Sequence, residues 1–499
     1  MRVTCEITVA GPGAGLPHPS SAPKPHVTKW RLRGGRGGPT RRHPRAVISH
    51  RIGALLTCAL LTLSVAACSS SAPAVEQRPA STATFFEGAR LIAGDGSAPI
   101  EDSAFIIENG RFVSVGKKGE VQPPVGSAFV DLSGKTVMPA LVDAHSHLGY
   151  TDVKRNTTAA ANFTRENLVD HLNRYAYYGI AATLSMGVDR GELPYELRAM
   201  PVPGAALFRT AGSGIALPNA GPGAEYRKDA AYGVTTEAEA RKAVQELAAK
   251  KVDIVKIWVD DRDGTVKKLP PPMYRAIIDE AHMHGLRVAA HIFDLADAKE
   301  LLRAGIDGFA HGVRDMDVDD EFIALMKQHP NVFVIPNLPD RGIAEDEAWL
   351  GETVPREEVT RARAALAKRT PAQIKQTADL FGVQARNLAK LNAAGAIIAY
   401  GTDAGVSVGW PAHAELADMV AAGMTPAQVI VAATKTSATI LKLDELGTIA
   451  TGKSADFIVL NANPLDDITN TRRIDRVYLR GQAIDRAALK AQWSSTGGS

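Results

Sequence analysis

From about residue 84 the chain alternates short apolar runs with turns, as in "ATFFEGARLIAG", "SAFIIENGRFVSVG" and "GSAFVDLSGKTVMPA". Strands bounded by "ENG" and "DLSG" predict a small β-unit. The same texture returns near the other end, in "LGTIATGKSADFIVLNANPL" and "RRIDRVYLRGQAI", within 446–484. Between these two regions the pattern changes to an apolar run followed by a helical period, repeated. The apolar runs are "TVMPALVDAHSH", "GIAATLSMG", "GAALFRTAG", "VDIVKIWVD", "LRVAAHIF", "IDGFAHGV", "NVFVIPNLP" and "AIIAYGTDAG". Helical patterns such as "TEAEARKAVQELAAKK" and "PPMYRAIIDEAHMHG" fill the gaps. Strands alternating with helices in this way predict an α/β fold, a (β/α)8 TIM barrel. A doubly wound open sheet is the alternative. The end regions predict a small β-sandwich domain built from both ends of the mature chain. The boundaries that follow are 84–138 with 446–484 for the sandwich and 139–445 for the barrel, with 485–499 as a C-terminal tail.

The first 83 residues differ in kind. Residues 1–50 are rich in Pro, Gly and Arg, centred on "RLRGGRGGPTRRHPR", and cannot bury enough apolar surface to fold. Next comes "IGALLTCALLTLSVAAC", an apolar run behind basic residues that ends in small ones. That arrangement reads as a signal peptide, with an uncleaved anchor helix as the alternative. Its ending "VAAC" resembles a bacterial lipobox. The resemblance implies cleavage before Cys68 and lipidation of its sulfur, so that 1–67 is leader and 68–83 a polar tether. It places the protein in the bacterial cell envelope, lipid-anchored to a membrane and facing periplasm or exterior. Ser69 lacks the acidic character associated with inner-membrane retention. The long leader suggests a start codon nearer Val47.

Composition adds exclusions. The chain has 499 residues, 45% hydrophobic and 22% charged, which is ordinary globular usage. The net charge of +3 carries no electrostatic case for nucleic-acid binding. The three cysteines are Cys5, Cys58 and Cys68, so the mature body has no thiol for disulfides or cysteine metal sites.

Candidate chemistry sits where the strands end. In "VDAHSHLGY", His145 and His147 are two apart, and on a strand both imidazoles face one way. Neutral imidazoles sharing a face suit a metal ion. The fourth run carries Lys256, the fifth His291, the sixth His311 and the eighth Asp403. Barrel chemistry belongs at the C-terminal strand ends, where residues from different strands converge. Each residue alone is weak evidence, and together they predict a metal site. A lysine within "IVKIW" is expensive to bury unless paired or modified.

This set resembles the metal-dependent amidohydrolase superfamily over about 84–484, nearest its imidazolonepropionase-related and Xaa-Pro dipeptidase-like branch. The segments "HAELADMVAAGMTPAQVIVAATKTSATIL" and "LGTIATGKSADFIVLNANPLDDI" resemble that family's return from barrel to sandwich. The resemblance implies that His145, His147 and Asp403 hold one divalent ion and His291 and His311 a second, zinc being expected. It implies a CO2-derived carbamate on Lys256 bridging the two, and Asp403 as the catalytic acid/base. A metal-bridging hydroxide would then cleave an amide C–N bond in a small-molecule or short peptide substrate, as in a dipeptidase or an N-acyl amino acid hydrolase. Arg314, Tyr226 and Tyr232 are candidate substrate contacts, and Asp143 is expected to orient the site without a catalytic role. His282, His284 and His413 are alternative ligands. The rival readings are a mononuclear deaminase of the same fold, in which Asp294 would replace the usual glutamate, and a non-catalytic ligand-binding surface lipoprotein. Oligomerisation is left open.

Overall fold

The computed structural model describes residues 82–339, 341, 349–350, 353–405 and 407–494. The leader, Cys68, the tether up to residue 81 and residues 495–499 lie outside the described residues. Among the described residues no helix is long and apolar enough to cross a membrane.

The eight apolar runs form eight parallel strands. They are β1 (Leu141–Ser146), β2 (Ile180–Ser185), β3 (Leu207–Thr210), β4 (Val255–Val259), β5 (Val288–Ile292), β6 (Gly308–Phe309), β7 (Phe333–Val334) and β8 (Ile397–Ile398). β1, β2 and β3 neighbour one another in a three-stranded sheet. β4 to β8 follow in order in a seven-stranded sheet that begins with Tyr232–Gly233 and Ile215–Ala216. Backbone hydrogen bonds continue between the two sheets on both sides. Ala144 N–H donates to Tyr400 O at 3.0 Å and Asp403 N–H to His145 O at 2.8 Å, while Asp253 N–H donates to Thr210 O at 2.9 Å.

Every residue of β1, β2, β4 and β5 is buried. Strands covered on both faces keep no polar alternation, which is why they read as apolar runs. Four of the helices start on threonine caps. Thr164 accepts the Asn167 N–H ahead of helix Arg165–Tyr177, and Thr236 accepts the Glu239 N–H ahead of Glu237–Ala249. Thr370 and Thr425 form reciprocal capping boxes with Gln373 and Gln428.

The strands expected to build the β-sandwich form one mixed sheet of eight strands. Its order is Gln482–Ala483, Ile474–Leu479, Phe457–Leu460, Thr136–Pro139, Thr84–Leu91, Ile100–Glu108, Arg111–Lys117, with Ala128–Asp131 also beside Thr84–Leu91. The two chain ends meet where Thr136–Pro139 pairs antiparallel with Phe457–Leu460. Aromatic rings fill one face, with Phe86 stacked on Phe105 at 4.8 Å and Phe457 on Tyr478 at 4.5 Å. The expected C-terminal tail carries a helix, Arg486–Ser494. Its Trp493 donates to Asp170 at 2.7 Å and lies under the Arg174 guanidinium, so an indole anchor ties the segment to helix Arg165–Tyr177.

Between β2 and β3 sits a buried carboxylate, Asp189, which accepts hydrogen bonds from Ser185 and Thr210. Burial pushes it up to about 7, against the two hydroxyl bonds. A carboxyl raised in the folded state binds its proton more tightly there than in the unfolded chain. Its contribution to stability is therefore complete below about pH 4 and lost as pH rises through about 7. A tenfold change in proton affinity corresponds to about 1.4 kcal/mol, so the whole effect is a few kcal/mol. Asp189→Asn is expected to flatten the fall in unfolding free energy between these limits, measured by urea melts across the range. An unchanged pH profile would show that Asp189 does not carry the effect.

Candidate metal centre

The strand ends bring three of the expected ligands into one group. The donor atoms of His145, His147 and Asp403 all lie within 4.8 Å of one another. His147 Nε2 is 3.0 Å and His145 Nε2 3.7 Å from Asp403 Oδ1. The alternation along β1 sends both imidazoles to the same side. Asp403 arrives from the turn after β8 with a left-handed backbone, φ +51°. That turn is pinned to β1 by Asp143. The Asp143 carboxylate accepts from Thr402 Oγ1 (2.6 Å), Tyr175 OH (2.9 Å), His145 N–H (3.0 Å) and Thr402 N–H (3.1 Å). Asp143 thus orients the group from behind, and burial pushes its own carboxyl up to about 6 despite these bonds.

Lys256 is fully buried beside this group. Its Nζ lies 3.4 Å from His145 Nε2 and 3.7 Å from Met186 Sδ. His311 adjoins both neighbours, its ring centre 5.1 Å from that of His145 and 4.5 Å from that of His291. His291 Nε2 is 3.0 Å from Asp260 Oδ2. Arg314 follows closely, and its charge lowers His291, His311 and Asp260 alike.

The protonation states suit cation binding. Burial, aided by the Lys256 charge, holds His145 well below the ordinary imidazole value. Burial and the Arg227 charge lower His147 to about 4, and burial lowers His291 to about 4. His311 is held well below its usual value by burial and by Arg314. Burial pushes Asp403 upward, but its hydrogen bond to His147 and the favourable electrostatics of His145, His147 and Arg227 beside it outweigh this and hold it ionised. Four neutral imidazoles and a carboxylate are nitrogen and oxygen donors of the kind divalent ions take.

Two further details fit a metal. The Nδ1 atoms of His147 and His311 are buried and take no hydrogen bond among the described residues. His145 Nδ1 lies 2.7 Å from Asn337 Oδ1, which fixes the ring and leaves Nε2 for the centre.

The remaining expectations divide. Tyr226 reaches the neighbourhood, its ring 5.5 Å from that of Tyr150. Tyr232 does not: it sits on the edge strand Tyr232–Gly233, packs into the helical layer and answers to Glu246 and Glu192. His282 pairs with Asp307 at 2.9 Å and His284 with Glu280 at 3.3 Å, both away from the centre. His413 is buried between Thr471 and the Tyr178 carbonyl. Asp294 binds Lys268 at 2.7 Å. Three residues at the site carry no sequence signal of their own kind: Asn337 after β7, Asp260 at the end of β4 and Arg227 in the loop after β3. Asp260 and Asn337 stand directly beyond strands already read, and position was the available clue.

Residues 136–484 match the amidohydrolase family. Imidazolonepropionase from Deinococcus radiodurans is 26% identical over 410 residues, covering 77% of this chain and 92% of its own. Ochratoxinase from Aspergillus niger is 27% identical over 420 residues, covering 76% of this chain and 81% of its own. A crystal structure of a Xaa-Pro dipeptidase with bound methionine in its active site superposes with a TM-score of 0.62 at 22% identity, covering 80% of this chain and 99% of that one, a likeness of fold. The matched span takes in all eight parallel strands and every residue of the His-His-Asp group: the chain belongs to the amidohydrolase family and is a hydrolase.

Proposed function

We propose that the chain hydrolyses an amide C–N bond in a dipeptide or an N-acyl amino acid, at a centre of two divalent ions, zinc being the expected metal. The observation that carries this reading is the convergence of His145, His147 and Asp403 within 4.8 Å, beside a fully buried lysine. His145, His147 and Asp403 would hold one ion, and His291 and His311 the other. Lys256 would bridge them as its carbamate, an anion with two oxygens where an ammonium would repel a cation. When bound, such ions polarise the scissile carbonyl and lower the pKa of water to near neutrality.

The chain's own groups do the rest. Asp403 takes the proton of the attacking water on a carboxylate oxygen and returns it to the leaving nitrogen. Asp143 and Asn337 keep the histidines oriented. The same proposal reads the two parallel sheets as one (β/α)8 barrel, supported by the hydrogen bonds that run between them at both sides. The test is metal content together with a screen of N-acyl amino acids and dipeptides, Xaa-Pro included. About two ions per chain and turnover of an amide are expected, and a protein that binds metal yet cleaves no amide would refute the assignment.

We further propose that the mature protein is a lipoprotein anchored through Cys68, on the strength of "VAAC" and the polar stretch after it. Cys68→Ser is expected to leave unprocessed precursor, visible as a larger band that takes up no labelled fatty acid. Normal cleavage and release of that variant would refute the anchor.

A further inference from the structure

Arg227 closes the short 3-10 turn Glu225–Arg227 in the loop after β3. With His147, His291, His311 and Asp403 it lines a single pocket. Its Nε and Nη1 are buried and take no hydrogen bond among the described residues. The guanidinium lies against the Tyr226 ring, its carbon 5.6 Å from the ring centre. On another side it abuts Gly405, where a Cβ would stand 3.1 Å from Nη1. A side chain at 405 would press on the guanidinium, so the glycine leaves Arg227 its place. The pocket's other arginine, Arg262, is already engaged, donating from Nη2 to the Gly221 carbonyl. Asp403 is the acidic residue among those lining the pocket; its charge is felt by Arg227, but no hydrogen bond or ion pair joins the two among the described residues, and His147 takes its Oδ1.

A guanidinium with buried donors unsatisfied is costly unless an anion completes it. Arginine's planar fork suits a carboxylate better than any other side chain does. We infer that Arg227 is a substrate-binding residue that receives the free carboxylate of the substrate, so that the enzyme releases an amino acid from the carboxyl end of an acyl or aminoacyl chain. This rests on the reading of the pocket as a hydrolytic site and deepens it by naming the residue that selects for the free α-carboxylate such substrates carry. A substrate amide or ester in place of that carboxylate offers no charge to Arg227.

The test compares matched acids and carboxamides. For N-acyl amino acids that are turned over, the wild-type enzyme is expected to favour the free acid over its α-carboxamide by about 100-fold in kcat/KM, the scale of a charged hydrogen bond. Arg227→Gln should remove that preference, kcat/KM for the free acid falling to the level of the variant's own carboxamide, mainly through KM. Arg227→Lys should restore part of it. Calorimetric titration with benzoate and benzamide gives a second reading that needs no turnover. Wild type should bind benzoate in preference to benzamide, and Arg227→Gln should bind both alike. Equal treatment of acid and carboxamide by the wild-type enzyme, or benzoate binding that survives in a folded Arg227→Gln protein, overturns the inference and leaves the hydrolase reading standing. Benzoate selectivity lost in the variant, with no amide cleaved by either protein, supports Arg227 while refuting amide hydrolysis.

Discussion

Replacing His145 by alanine lowers kcat/KM by an expected 10³-fold or more, on the order of 4 kcal/mol of transition-state stabilisation, because a ligated ion supplies several kcal/mol. The same variant should hold about one ion fewer. The backbone contacts that join β1 to the turn after β8 use the His145 carbonyl, which accepts from Thr402 and Asp403 and survives the substitution. Asp143 likewise binds the His145 N–H rather than its ring. The alanine variant should therefore keep the wild-type circular dichroism while losing the imidazole that stands between Asn337, Lys256 and Asp403. Metal analysis and steady-state kinetics on the same preparation decide it. A variant with full metal content and undiminished turnover would remove His145 from the centre.

Lys256→Met should separate chemistry from stability. Methionine nearly matches the lysine stem in length and flexibility, so the space left by Gly187, where a Cβ would come within 2.7 Å of Lys256 Cγ, stays filled. Removing a charge from a fully buried position should leave the melting temperature of the metal-free protein equal or raised. Turnover should nevertheless fall on the order of 10³-fold and metal content drop, since methionine supplies no oxygen between the two histidine sets. Lys256→Ala opens room instead, and short carboxylic acids with excess zinc should recover part of its activity. A Lys256→Met enzyme that keeps both its ions and its rate would rule out a bridging role.

The eight strands were legible in the sequence because their runs are largely apolar, and β1, β2, β4 and β5, buried on both faces throughout, have no polar alternation to disguise them. His145 and His147 were legible for the opposite reason: two polar residues of one kind, two apart, at the end of such a run. Asp403 and His311 were singled out by the same strand-end logic, although β6 and β8 keep regular pairing over two residues and both residues stand beyond them. What remained hidden depends on loops. Arg227 is one of two basic residues in "EYRKDAAYG", and nothing local says which of them turns inward. Tyr232 looked equally suitable, but strand pairing with Ile215–Ala216 commits it to the helical layer. The C-terminal helix was hidden because its anchor, Trp493, makes sense only against Asp170 and Arg174.

The mixed sheet that joins both ends of the chain also sets an order of events. Thr136–Pro139 lies between Thr84–Leu91 and Phe457–Leu460, partners separated by nearly the whole barrel in sequence. Such pairing joins residues far apart in sequence, so this part of the sheet can close only after synthesis has passed residue 460. Until then Thr136–Pro139 presents an uncovered apolar edge directly upstream of β1, the kind of edge that recruits other strands. Chains cut short before Phe457 should accordingly accumulate as aggregates, and a chaperone that shields extended apolar segments would act on this nascent chain at that point.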